Sequence, residues 1–148
     1  MKNSSSQRDI SLKLQERVKE LSCLYKVSNI SQQIEMGLND QVNRILQVIP
    51  LGWQYPRKLK VRLSYNEKVV GDKLNNFGMS NPVLVNKQEI GVIEVEYTND
   101  PQIAFLKEEK QLLEQIAVQI GNLISRHEHI EQERLVNAKL RYEDRLHV

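Results

Sequence analysis

Between residues 58 and 65 the chain alternates charge or polarity with hydrophobe at every step, Lys58-Leu59-Lys60-Val61-Arg62-Leu63-Ser64-Tyr65. A period of two puts successive side chains on opposite faces, so this segment predicts a strand with one wet and one buried face. Ile90-Gly91-Val92-Ile93-Glu94-Val95-Glu96-Tyr97 reads as a second strand, with Glu94 and Glu96 alternating with Ile93, Val95 and Tyr97. Between them, Lys68-Val69-Val70 returns as a hairpin partner after a turn at Asn66-Glu67, with Gly71-Asp72 as the break. Leu74 to Phe77 and Val83 to Val85 read as short strands, separated by Gly78 and Asn81-Pro82, and Asn86-Lys87-Gln88 turns into the last strand. If Ile93, Val95 and Tyr97 share a buried face with Leu59, Val61 and Leu63, then Glu94 and Glu96 fall beside Lys60 and Arg62 on the other face. Opposite charges facing each other across strands favour pairing, so these two strands are expected to be neighbours.

Helical periodicity brackets this region. Leu14, Val18, Leu21, Tyr25 and Ser28 follow steps of four and three, a narrow seam of the coiled-coil type, and Leu24, Val27, Ile30 and Ile34 widen it into a core face. Residues 1–11 are Ser-rich and polar and are expected to be a disordered tail. Gly37 stops the first helix; Asn39 or Asp40 is placed to cap a second that carries Val42, Ile45, Leu46 and Ile49 and ends at Pro50 and Gly52. Asn99-Asp100-Pro101 precedes a helix running from about Phe105 to His147, with no Pro, one Gly (Gly121), and no stop signal before the sequence ends. Such a helix is expected to continue into a further domain. Two helices, four or five closely spaced strands and one long helix predict an α+β fold, an antiparallel sheet backed on one face by helices.

The composition narrows the function classes. The 148 residues fit one domain, and the apolar share of 40% is low because long charged helical ends enlarge the surface without enlarging the core. Net charge is +2, with basic and acidic residues interspersed, so no footprint for nucleic acid is expected. No apolar stretch approaches the roughly 20 residues of a membrane span, and the first residues lack the apolar core of a signal peptide. The expected location is cytoplasmic, without direct membrane contact. A single cysteine, Cys23, excludes an internal disulfide and a multi-cysteine metal site.

Three stretches, Ile49-Pro50-Leu51-Gly52-Trp53-Gln54-Tyr55-Pro56, Gly91-Val92-Ile93-Glu94-Val95-Glu96-Tyr97 and Phe105-Leu106-Lys107-Glu108-Glu109-Lys110-Gln111-Leu112-Leu113-Glu114-Gln115-Ile116-Ala117, together resemble a GAF domain. The closer similarity is to the short variant found in bacterial and archaeal sensor histidine kinases and related signalling proteins. The resemblance covers residues 12–130, leaving 131–148 as a C-terminal signalling helix toward a downstream domain. It implies a sensory module with terminal helices on one face of the sheet, which commonly dimerises and sometimes holds a small molecule on the other face. Only Gly71 to Pro82 is available here to roof that other face, and Lys60, Arg62, Glu94 and Glu96 pave it, so a deep apolar cavity is not expected and no cofactor is predicted.

Sharper chemical readings are weighed against plain ones. His127 and His129, two residues apart on a helix, point to different faces, and His127 with Glu131 supplies only two potential metal ligands. Cys23 beside Leu21 and Leu24 fits a small core residue better than a covalent cofactor anchor. Trp53, Tyr55, Arg62 and Phe77 are the candidate ligand contacts, although Trp53 and Tyr55 also suit holding the second helix to the sheet. No phosphate loop, Ser-His-Asp set or carboxylate pair is present in the pattern, so catalysis is not expected. In the last helix Ile116, Ile120, Leu123, His127 and Ile130 keep the three-four spacing, which slips before Leu135, Ala138, Tyr142 and Leu146 resume it, as in a coiled coil with local unwinding. The expectation is a non-enzymatic relay that forms a homodimer through Leu14, Val18, Leu21, Tyr25, Ile116, Ile120, Leu123, His127 and Ile130. The alternatives are a sensor binding a small molecule or haem, and the regulatory head of another enzyme or a transcription factor.

Overall fold

A computed structural model describes residues 2–33, 35–75, 78–98, 100 and 102–146, with backbone alone for 2–5 and 146. The element order is α1 (Lys2–Ser31), α2 (Leu38–Val48), two 3-10 turns (Ile49–Gly52 and Pro56–Lys58), β1 (Leu59–Tyr65), β2 (Lys68–Gly71), β3 (Met79–Val85), β4 (Gln88–Tyr97) and α3 (Lys107–Leu146). Among the described residues the strands form one antiparallel sheet in the order β2-β1-β4-β3. The fold is α+β.

The pairing expected from the charge pattern is present. Lys60 lies opposite Glu96 and Arg62 opposite Glu94 across β1 and β4. Arg62 Nη2 donates to both Glu94 carboxylate oxygens, at 3.0 and 3.1 Å. On the other face Leu59, Val61, Leu63, Ile93, Val95 and Tyr97 are buried in one core with Val42 and Ile45 of α2 and Leu113, Ile116 and Ile120 of α3. Both hairpins turn on two residues with positive φ, Asn66-Glu67 (47° and 64°) and Asn86-Lys87 (52° and 65°). That combination matches the right-handed twist of the flanking strands. Pro82 is tolerated within β3 because β3 is an edge strand, where an absent N–H costs no ladder bond on the outer side.

Three expectations need correction. The first helix begins at Lys2, so residues 2–11, expected as a disordered tail, belong to α1; extending a helix already nucleated costs little per residue, even for polar sequence. Leu74 and Asn75 are irregular where a strand was expected, and Phe77 lies outside the described residues. There Asp72 continues the β1 ladder, its N–H donating to Val61 O at 2.8 Å and its carboxylate accepting from Val61 N at 3.0 Å. Asn75 N–H then donates to the Glu96 carboxylate at 2.7 Å, a side-chain acceptor in place of a strand partner. Finally, α2 is preceded by Gly37 in extended conformation with no side-chain cap, and Asn39 instead accepts from the Tyr65 hydroxyl at 3.2 Å. Ile34, Asn99, Pro101 and His147 also lie outside the described residues.

The long helix sits on β3 through a glycine. A Cβ at Gly121 would stand 2.4 Å from the carbonyl oxygen of Leu84, a backbone atom that cannot rotate away. This absence of a side chain lets α3 descend onto the sheet at the point where β3 and β4 slip register between Val83 and Leu84. Gly121→Ala is expected to lower stability by about 1–3 kcal/mol through overpacking, although alanine is the better helix former by about 1 kcal/mol. Urea denaturation checks this: the midpoint should fall with the slope unchanged, and a midpoint that rises would show that the close approach carries no weight.

Candidate functional site

α1 has two faces with different fates. Glu20, Cys23, Val27 and Ser31, spaced by three and four, are buried against the rest of the chain. Leu14, Val18, Leu21 and Tyr25 lie on the opposite side and are 50–68% exposed. At 100° per residue the two stripes are nearly diametrically opposed, so packing α1 onto its own domain leaves the seam free.

The two long helices run in the same direction. Leu12 to Glu20 of α1 flank Leu106 and Glu108 at the start of α3, whereas Ser28 to Gln32 flank Gln119 to Arg126. α1 therefore overhangs one end of the domain and α3 the other. From Glu128 to Arg145 every residue of α3 is exposed, including Ile130, Leu135, Val136, Leu140 and Tyr142. At 1.5 Å per residue this distal segment reaches about 27 Å beyond the core.

Where α3 departs, one side chain joins all three helices. Gln41 of α2 is fully buried. Its amide nitrogen donates to Ile30 O at 2.9 Å and to Ser31 O at 3.4 Å, carbonyls of the last turn of α1 that have no partner within the helix. Its amide oxygen lies 2.5 Å from His127 Nε2 on α3, which donates. Burial, then the neighbouring Arg126 charge, lowers the His127 pKa from its ordinary value, favouring the neutral imidazole with its proton on Nε2. Gln41 was not among the residues picked from sequence. The signal for it was a polar side chain four residues before Ile45, within the apolar stripe of α2.

At the other end of the contact, Glu109 fastens the start of α3. Its buried carboxylate accepts from Leu106 N at 2.7 Å, the reach-back arm of a capping box, and from Gln54 N at 3.1 Å and the Tyr97 hydroxyl at 2.7 Å. Burial, then the Glu109 hydrogen bond and charge, pushes the Tyr97 phenol well above its usual range. Phe105 stacks on Tyr97 at 4.9 Å between centroids, and Tyr55 meets it edge-on at 5.6 Å.

The residues proposed from sequence are thus distributed as follows. Ile116, Ile120 and Leu123, expected at a dimer seam, are buried within the chain's own core, because the face of α3 that carries them rests on the sheet. A charge at Ile120 or Leu123 would disrupt the fold before it parted two copies. His127 is half-buried and engaged by Gln41, and Ile130 is exposed. Among the ligand candidates, Trp53 is a core residue, Tyr55 is half-exposed beside Tyr97, and Arg62 is ion-paired to Glu94 on the opposite face of the sheet. They do not converge on one cavity. That opposite face carries a cleft of about 160 Å³ lined by Leu74, Gly78, Met79, Ser80 and β4 residues Glu94 to Glu96, below the 300 Å³ or so at which small-molecule pockets begin. Cys23 is buried with its thiol toward the Val48 and Ile49 carbonyls, and burial pushes its pKa up to about 11, so it lacks the thiolate of a reactive cysteine.

No family model matches the chain, and no curated protein matches its sequence. Among the described residues no helix is long and apolar enough to cross a membrane.

Removing the junction side chain tests its role. Gln41→Ala removes the acceptor of the half-buried His127 Nε2–H and one of the two donors to the Ile30 carbonyl, which keeps Gln33 N–H, and the expected loss is about 1–3 kcal/mol. Amide exchange should speed up together at the end of α1 and in α3 beyond Leu123. Faster exchange in α2 alone would show that Gln41 does not link the two long helices.

Proposed function

We propose that this chain is a non-enzymatic regulatory module of the GAF type, from a signal-transduction protein such as a sensor histidine kinase, that pairs with a second copy and passes a change of helix packing from α1 to α3. The observation that carries the reading is the parallel run of α1 and α3 with overhangs at opposite ends, one able to take up a displacement and the other to deliver it. The four-three spacing of Leu14, Val18, Leu21 and Tyr25 on the face turned away from the domain suits a partner helix with the same spacing. A two-fold axis supplies such a helix from an identical chain. Gln41 and Glu109 hold α1, α2 and the base of α3 together, so that a shift of one long helix is felt by the other. The cytoplasm is the proposed location and a downstream output domain the proposed partner of the distal helix.

Sedimentation velocity on the isolated chain tests this. The wild type should sediment as a dimer at micromolar concentration. Val18→Glu with Leu21→Glu, both on the exposed stripe, should give a folded monomer whose thermal transition, unlike that of the wild type, does not depend on concentration. A wild-type monomer at the highest attainable concentration, or a dimer indifferent to both charges, would overturn the reading.

A further inference from the structure

One cleft on the helical side of the molecule has a chemistry that neither the core nor the seam explains. It has a volume of about 390 Å³ and is lined by Ser28 and Ser31 of α1, by Gln32 just past its end, and by Gln119, Asn122 and Arg126 of α3. Every lining residue is polar, one is cationic and none is acidic. Arg126 has no ion-pair partner and Asn122 no side-chain hydrogen bond among the described residues, and Gln119 Oε1 is buried without a donor. The carbonyls of Ile30 and Ser31 would ordinarily repel an anion here, at the end of α1, but both accept from Gln41 Nε2.

We propose that this cleft binds a small oxyanion, of the carboxylate or hydrogen-phosphate class. The Arg126 guanidinium takes the charged oxygens in the forked geometry that suits them. The Asn122 and Gln32 amides and the Ser28 hydroxyl add donors. A ligand held by Ser28 and Gln32 at the end of α1 and by Arg126 of α3 ties the two helices together beside the Gln41 junction, so occupancy stiffens the connection between them. The inference needs only a single chain and stands or falls independently of pairing.

Titration of the isotopically labelled chain with inorganic phosphate and separately with tartrate, followed by amide NMR at constant ionic strength with chloride as control, tests it. The expected result is saturable shifts confined to residues 28–32 and 119–126 with at least one of the two anions; which of them binds assigns the class. Arg126→Gln, an exposed position, should weaken binding about tenfold or more with the melting temperature unchanged. Arg126→Lys should recover part of the affinity, because it restores the charge without the fork. Shifts reproduced by chloride, no saturation at tens of millimolar, or equal affinity in Arg126→Gln would each overturn the proposal, the first by showing an adventitious ion only.

Discussion

The long helices cannot be covered by the sheet they serve. β4, the longest strand, has 10 residues, about 33 Å of extended chain, whereas α3 has 40 residues and α1 has 30, about 60 and 45 Å. About 12 Å of α1 and 27 Å of α3 must therefore extend past the sheet or find another surface. Because the two run parallel, the excess of one lies at the opposite end from the excess of the other. Local chemistry, from the seam of α1 to the junction at Gln41, acts within that geometry.

Three contacts convert overlapping helices into a connected body. Gly121 lets α3 touch the backbone of β3, Glu109 ties the base of α3 to Leu106, Gln54 and Tyr97, and Gln41 bridges the end of α1 to His127. The first is a packing constraint, and the other two are buried polar groups satisfied by several partners at once. Such groups are costly to leave half-bonded, so they favour discrete arrangements over gradual slippage. The relay proposed above requires two such arrangements close in energy.

Much of the fold was legible because the relevant signals are local. Strict alternation in 58–65 and alternation in 93–97 showed which side chains share a face, and complementary charge pointed to β1 and β4 as neighbours. The turn residues Asn66-Glu67 and Asn86-Lys87 marked both hairpins. The exposed stripe of α1 was also visible, since a seam of period three and a half has the same spacing whether or not its partner is present. The fate of the equivalent stripe on α3 was not legible. Ile116, Ile120 and Leu123 have coiled-coil spacing, but spacing names a face and not the surface that covers it; here the chain's own sheet does so. Gln41 escaped notice because its worth depends on Ile30 and His127, 11 and 86 residues away in sequence. The polar cleft at Arg126 likewise exists only once α1 and α3 lie side by side.

The central claim is that the free stripe of α1 meets its twin in parallel. Pulsed electron spin resonance on chains labelled at Gln15→Cys, beside Leu14, measures it most directly, with Cys23 buried and its thiol pKa raised to about 11 so that it resists labelling. Helices in contact have axes about 8–10 Å apart, so parallel pairing predicts one short interprotomer distance at this position and a second short one for labels at Lys26→Cys, beside Tyr25 at the other end of the stripe. Absence of any interprotomer coupling, or a short distance at one label with a long one at the other, would contradict the account.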